Sequence, residues 1–139
     1  MSLRKSTINY LESELRNYPY MDKDINRVRE EVLHPYTETD ENIGGGRSGA
    51  NVSVTEIKAT RVVNDSRLAQ LTRLKVAIEI VYNETSDEGR KLMDLYYFAK
   101  PRTLNLTGVA DEIYISKSTA YDLRKGILKM LADELGLIH

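Results

Sequence analysis

The chain has 139 residues, 20 basic and 21 acidic side chains, a formal net charge of −1 and no cysteine. This length suits one domain of moderate size or two small ones, and the lack of cysteine excludes a disulfide framework and a thiolate metal site. No apolar run approaches the roughly 20 residues of a membrane span, and the N-terminus lacks the apolar segment of a signal peptide. We therefore expect no membrane partner, and the composition is compatible with a reducing cytoplasm.

Two amphipathic segments predict an N-terminal helical hairpin over residues 1–35. The first, from Leu3 to Asn17, has apolar side chains at helical spacing and ends where Pro19 breaks the pattern. The second runs from Asp22 to Leu33 and ends before the next proline. The whole chain is expected to be all-α, because no segment shows a convincing strand pattern.

Residues 36–53 are polar and contain the glycine run from Gly44 to Gly49. This composition predicts a linker or a mobile loop between the hairpin and the rest of the chain. A phosphate cradle is the alternative, but the run lacks the lysine and the serine or threonine of a P-loop. It also does not lie between a strand and a helix.

Residues 54–139 are predicted to form a helical domain. A helical pattern runs from about Val54 to Thr85, with a break expected at Asn64-Asp65-Ser66. Its apolar stripe from Leu68 to Val81 covers fewer than three heptads, which favours an intramolecular core helix over a coiled-coil dimer seam. Ser86-Asp87-Glu88 predicts the start of another helix that ends at about Phe98. The residues expected to be buried there are Leu92, Leu95 and Tyr96, with Phe98 as a further candidate.

Residues 104–135 have the spacing of a helix-turn-helix, the motif that places a short helix in the DNA major groove. Ile115 is the apolar residue of the turn, Ser116 can cap the second helix, and Gly136 is placed to end it. The small side chains of Ala110 and Ala120 would let the two helices cross closely. An ordinary pair of packed helices is the alternative. The residues expected to face inward are Val109, Ala110, Ile113, Ala120, Leu123 and Ile127.

The opposite face of the second helix carries side chains that suit DNA. From Ile113 to Met130 there are four basic residues against one acid, although the whole chain is not basic. Lysine can donate to guanine, serine can serve either base type, and Asp122 could accept from cytosine. For Asp122, a local ion pair or a role against wrong sequences is an equal alternative. The candidate DNA-binding residues are Ser116, Lys117, Ser118, Thr119, Tyr121, Asp122, Arg124, Lys125 and Lys129.

Three of these candidates have a more specific expectation. Arg124 and Lys129 flank the outward face, so we expect them to contact phosphate. For Ser116 there are two alternatives. Its hydroxyl serves only as a helix cap, or it caps the helix and a phosphate also binds at the helix N-terminus.

Two residues depart from the usual pattern of the motif. Gly108 lies inside the first helix, where glycine costs about 1 kcal/mol relative to alanine. Tyr114 occupies the turn, where such motifs often have glycine, and tyrosine tolerates a positive φ poorly. The sequence therefore predicts a turn of non-standard geometry.

Several segments together resemble the RinA family of phage late-transcription activators, with a related similarity to the ArpU-type phage regulators. They are Leu11 to Leu15 followed by Tyr18-Pro19, Asp40 to Gly46, and Met93 to Phe98 ahead of a motif that ends in Leu131 to Gly136. The C-terminal part alone is also similar to region 4 of bacterial sigma factors.

The resemblance implies an activator that binds double-stranded promoter DNA in the bacterial host cytoplasm and switches on packaging and morphogenesis genes. Host RNA polymerase and a second copy of the chain are further partners that it leaves open. A protein-interaction adaptor or anti-repressor, which uses the same helices without base readout, is the alternative function. An enzyme is not expected, because no nucleophile–base or metal constellation is present. We predict no cofactor and no bound metal.

Overall fold

The computed structural model describes residues 3–34 and 54–137, and every regular element in these ranges is a helix. The all-α prediction is therefore confirmed for this part of the chain, whereas the glycine-rich segment 36–53 lies outside the described residues. None of the described helices combines the length and the apolar character needed to cross a membrane. In chain order the α-helices are α1 (Lys5–Asn17), α2 (Met21–Leu33), α3 (Val54–Asn64), α4 (Ser66–Glu84), α5 (Asp87–Leu92), α6 (Leu106–Glu112) and α7 (Lys117–Glu134).

The described chain divides into two compact units. The first combines Met1–Met21 with Arg73–His139, and the second is Asp22–Thr72. These bounds differ from the predicted segments 1–35 and 54–139, because α1 belongs to the same unit as α6 and α7. The predicted hairpin of α1 and α2 is therefore divided between the units.

The core of the first unit explains why α1 belongs to it. Leu11 and Leu15 of α1 are completely buried in one apolar cluster with residues of α4, α5, α6 and α7. Fully burying a leucine side chain contributes about 1.5–3 kcal/mol. Two such residues on one helix give α1 a large share in the stability of this unit.

The second unit has a smaller apolar cluster. Ile25 and Val28 of α2 and Leu68 of α4 are buried in it. The break predicted at Asn64-Asp65-Ser66 is present. The Asp65 carboxylate caps α4 by accepting hydrogen bonds from the backbone N–H groups of Arg67 (2.9 Å) and Leu68 (3.1 Å). Its side-chain hydrogen bond with Arg67 lowers the pKa of Asp65 below its usual value.

The helix predicted from Ser86 begins as expected but changes form half-way. The Ser86 hydroxyl accepts a hydrogen bond from the Gly89 N–H group at 3.1 Å, and α5 is followed by a π-helical segment, Met93–Phe98. Hydrogen bonds of the i→i+5 type widen the turn and shift which residues face inward. Consequently Met93 and Tyr97 are buried, whereas Leu95 and Tyr96, which an α-helical pattern would bury with Leu92, are only partly buried.

Candidate nucleic-acid interface

Helix α6 begins with a side-chain cap that explains its glycine. The Asn105 carboxamide oxygen accepts a hydrogen bond from the Gly108 N–H group at 2.8 Å. A Cβ atom at position 108 would lie 3.1 Å from the Leu104 side chain and 3.3 Å from Oδ1 of Asn105. The absence of a side chain thus leaves room for the cap, which offsets part of the helix propensity that glycine loses.

The turn between α6 and α7 closes α6 with a Schellman motif. The Ile115 N–H group donates to the Ala110 carbonyl (3.0 Å), and the Tyr114 N–H group donates to the Asp111 carbonyl (3.3 Å). This pattern places Tyr114 in the left-handed conformation, with a φ of 61°. The turn therefore has the backbone usual for glycine, and the expectation of a non-standard turn was wrong. Tyr114 adopts that backbone with 94% of its surface exposed, so burial of the tyrosine does not account for the conformation.

Helix α7 begins at the predicted cap. The Ser116 hydroxyl accepts a hydrogen bond from the Thr119 N–H group at 3.0 Å and donates to the Thr119 hydroxyl at 2.8 Å. At the other end, Gly136 has a φ of 69°, and the Leu137 N–H group donates to the Ala132 carbonyl at 2.9 Å. Both predicted ends of this helix are confirmed.

Small residues lie where α6 and α7 pack together. Ala110 and Ala120 are both buried, with 1% and 0% of their surfaces exposed. Val109 and Ile127 are buried as predicted, whereas Leu123 is only partly buried. The packing fixes which side of α7 faces solvent.

The predicted DNA-binding residues are exposed on that side, with one exception. The exposed ones are Ser116, Lys117, Ser118, Thr119, Tyr121, Asp122, Lys125 and Lys129, and the partly buried one is Arg124. At 100° per residue, the positions of Ser118, Asp122, Lys125 and Lys129 form one stripe along the helix. Among the described residues Asp122 makes no ion pair, because the guanidinium of Arg124 binds elsewhere.

Arg124 binds a carboxylate on α1. Its Nε and Nη2 atoms donate to the two Glu12 oxygens at 2.8 and 3.0 Å, which is the bidentate arrangement of a strong charge-assisted pair. The Tyr97 hydroxyl donates to Glu12 Oε2 at 2.7 Å, and both Glu12 and Tyr97 are buried. The network joins α1, the π-helical segment and α7. Of the guanidinium nitrogens, only Nη1 is left for a phosphate.

The three groups of this network have shifted pKa values. Burial alone would raise the pKa of Glu12, but the hydrogen bonds from Arg124 and Tyr97 outweigh it, so the pKa is lowered. Burial, followed by the hydrogen bond to Glu12, raises the pKa of Tyr97. The hydrogen bond to Glu12 raises the pKa of Arg124. All three shifts favour a charged pair with a neutral phenol.

Sequence reasoning missed Glu12 and Tyr97, although one signal was present. Glu12 follows Leu11 and lies four residues after Ile8, so it falls within the apolar face of α1. A buried acid in this position requires a cationic or hydrogen-bonding partner. The sequence does not indicate which residue that partner is, because Arg124 lies 112 positions away.

Comparisons with known proteins agree with the resemblance noted in the sequence. The model of a protein family described as "Protein of unknown function (DUF722)" matches residues 8–133. The chain belongs to this family. It is also 37% identical over 134 residues to "Transcriptional activator rinA" of Staphylococcus phage phi11, with 96% of this chain and 94% of that protein covered. No solved structure matches the chain.

Proposed function

We propose that this chain is a phage transcriptional activator that binds promoter DNA through a helix-turn-helix formed by α6 and α7. The observation that carries the proposal is the exposed polar stripe on α7, held outward by the packing of Ala110 and Ala120. The relative named a transcriptional activator supports the regulatory role, because the identity extends over nearly the whole of both chains. Late packaging and morphogenesis genes are the proposed targets, and the bacterial host cytoplasm is the proposed site of action.

The residues of the stripe and the exposed residues beside it, Lys117 and Tyr121, each have a proposed role. Lys117, Ser118 and Lys125 contact base edges or phosphates from the first turns of α7, where a recognition helix approaches bases. Tyr121 and Asp122 lie beside them and contribute to the choice of sequence. Lys129 binds a phosphate on the flank.

Other candidate residues position the helix or extend its contacts. Ser116 caps α7 by accepting from the Thr119 N–H group, and the N–H groups of Lys117 and Ser118 are left to face a phosphate. Arg124 offers Nη1 to a phosphate of the DNA backbone, while Glu12 binds the other two nitrogens of its guanidinium. Tyr114, exposed in the turn, joins the proposed interface because strained backbone tends to be kept at functional sites.

The test is a binding measurement with the full chain and duplex fragments from the region upstream of the packaging genes in its own genome. We expect fluorescence anisotropy to show specific binding whose log affinity falls linearly with log salt, by about 0.9 for each phosphate neutralised. Lys117→Ala and Lys125→Ala should each weaken binding and each reduce that slope by about 1, without unfolding the protein.

Lys23→Ala is the matched control, since this exposed lysine belongs to α2 and is not one of the candidate DNA-binding residues. Loss of affinity in the control equal to that in the two α7 variants would refute the interface. The absence of DNA affinity at any salt concentration would instead favour the adaptor that acts without base readout. Host RNA polymerase would then be the first partner to test.

A further inference from the structure

An aromatic cavity on the first unit lies among α4, the turn at Tyr18 and the π-helical segment. Its volume is about 410 Å³, within the range of small-molecule and side-chain pockets. Tyr18, Tyr82 and Phe98 line it. The Phe98 ring centroid lies 4.9 Å from that of Tyr18 and 6.1 Å from that of Tyr82, so the three rings form one continuous aromatic wall.

Two carboxylates complete the wall. Glu79 accepts a hydrogen bond from the Tyr18 hydroxyl at 2.7 Å, and Asp94 accepts one from the Tyr82 hydroxyl at 3.1 Å. Each bond uses one carboxylate oxygen and orients one ring. The second oxygen of each carboxylate accepts no hydrogen bond within the described part of the chain.

The cavity has no cation of its own among the described residues that line it. The Arg90 guanidinium donates to the backbone carbonyls of Tyr82, Asn83 and Thr85 and pairs with Asp87, so it is held by these groups. Two carboxylates therefore face the cavity without a neutralising side chain in its lining. This charge repels phosphate, so nucleic acid is not its ligand.

The π-helical segment creates this arrangement. Asp94 and Phe98 both belong to Met93–Phe98 and both line the cavity. Such segments in proteins are frequently associated with functional sites, because the wider turn redirects side chains. Here it buries Tyr97 on one side and leaves Asp94 and Phe98 at the cavity.

We propose that this cavity binds an arginine side chain presented by an exposed segment of another protein. A guanidinium is planar and weakly hydrated, so it stacks on aromatic faces and donates to carboxylates at the same time. Three rings and two carboxylates supply both kinds of contact. The site is separate from the α7 stripe and would let the protein contact a protein partner while α7 contacts DNA.

The composition of the chain provides a direct probe, because Phe98 is its only phenylalanine. Full-length protein labelled with 4-fluorophenylalanine would give one ¹⁹F resonance at the cavity. We expect a peptide N-acetyl-Gly-Arg-Gly-amide to shift this resonance saturably. The isosteric citrulline peptide, which is neutral, should bind at least about fivefold more weakly.

Charge-removing variants that keep the shape of the cavity provide the second arm. Glu79→Gln and Asp94→Asn should each weaken the arginine peptide about two- to fivefold. Glu88→Gln is the matched control, since Glu88 is exposed on α5 and does not line the cavity. Circular dichroism of all three variants should match that of the parent. DNA affinity should also be unchanged, so failure of this proposal is distinguishable from failure of the DNA-binding proposal.

Four results would overturn the proposal. The arginine and citrulline peptides could shift the resonance equally or not at all. Glu79→Gln and Asp94→Asn could behave like Glu88→Gln. The signal could move with protein concentration in the absence of peptide, which would assign the cavity to a second copy of the chain. A DNA duplex could shift the Phe98 resonance as strongly as the arginine peptide does.

Discussion

Replacing Glu12 by glutamine should destabilise the first unit. Glutamine keeps the shape of the side chain and one acceptor oxygen but removes the charge that pairs with Arg124. Removing one partner of a buried ion pair costs about 3–5 kcal/mol. The Arg124 side chain is 25% exposed and that of Glu12 is 9% exposed, so water partly stabilises the arginine that remains. We therefore expect a loss of about 2 kcal/mol in the free energy of unfolding, between the values for buried and exposed pairs.

The assay is urea unfolding followed by circular dichroism, together with a thermal melt. A loss of this size should lower Tm by about 4–8 °C for a chain of this length. A double-mutant cycle with Arg124→Met isolates the pair, since methionine keeps much of the apolar length of arginine. Glu88→Gln again provides the control for removal of an exposed acid.

The cost should also depend on pH in a defined direction. Because the pKa of Glu12 is lowered in the fold from its ordinary value of 4.5, its contribution is present above that value. The contribution is lost as the pH falls through the lowered pKa, so the difference between Glu12→Gln and the parent should shrink there. A Glu12→Gln loss no larger than that of Glu88→Gln, or a difference that does not change with pH, would refute the reasoning.

Three further outcomes are expected from the first unit. Ala120→Leu should cost about 1–3 kcal/mol in urea unfolding, because the larger side chain must enter a fully buried crossing, and an unchanged midpoint would place Ala120 elsewhere. Tyr114→Gly should raise stability by about 0.5–1 kcal/mol, because relief of the left-handed tyrosine exceeds the added freedom of the unfolded chain, while DNA affinity falls. A lower urea midpoint for this variant would contradict the account of the turn. A chain that begins at Val54 should lose much of its helical circular dichroism, because it lacks Leu11 and Leu15; retained helicity would show that α1 is dispensable.

Local features of the fold were predictable from the sequence because they depend on neighbouring residues. The Ser116 cap, the Gly136 end and the break near Asp65 each follow from one side chain and the backbone groups within a few positions of it. The outward stripe of α7 follows equally from helical periodicity. The prediction that these residues contact DNA is not tested by the fold alone.

Features that depend on distant residues were not predictable in the same way. The sequence suggested that residues before the glycine-rich segment form a separate part, yet α1 packs into the core that contains α7. The Glu12–Arg124 pair joins positions 112 residues apart, and periodicity carries no information about such a pairing. The burial pattern of the π-helical segment was also not predictable from α-helical spacing. With i→i+5 hydrogen bonds, Tyr97 is buried where an α-helix would bury Tyr96. At Tyr114, the hydrogen bonds of the Schellman motif outweighed the ordinary preference of tyrosine.

The central claim, that the exposed side of α7 contacts a specific promoter, is tested most directly by a hydroxyl-radical footprint. The probe is the DNA upstream of the packaging genes, with full-length parent, Lys117→Ala, Lys125→Ala and Lys23→Ala compared at one salt concentration. We predict one defined protected stretch with the parent and the Lys23→Ala control, and weaker protection of the same stretch with each α7 variant. Uniform cleavage with the parent, or the same protection with all four proteins, would contradict the account.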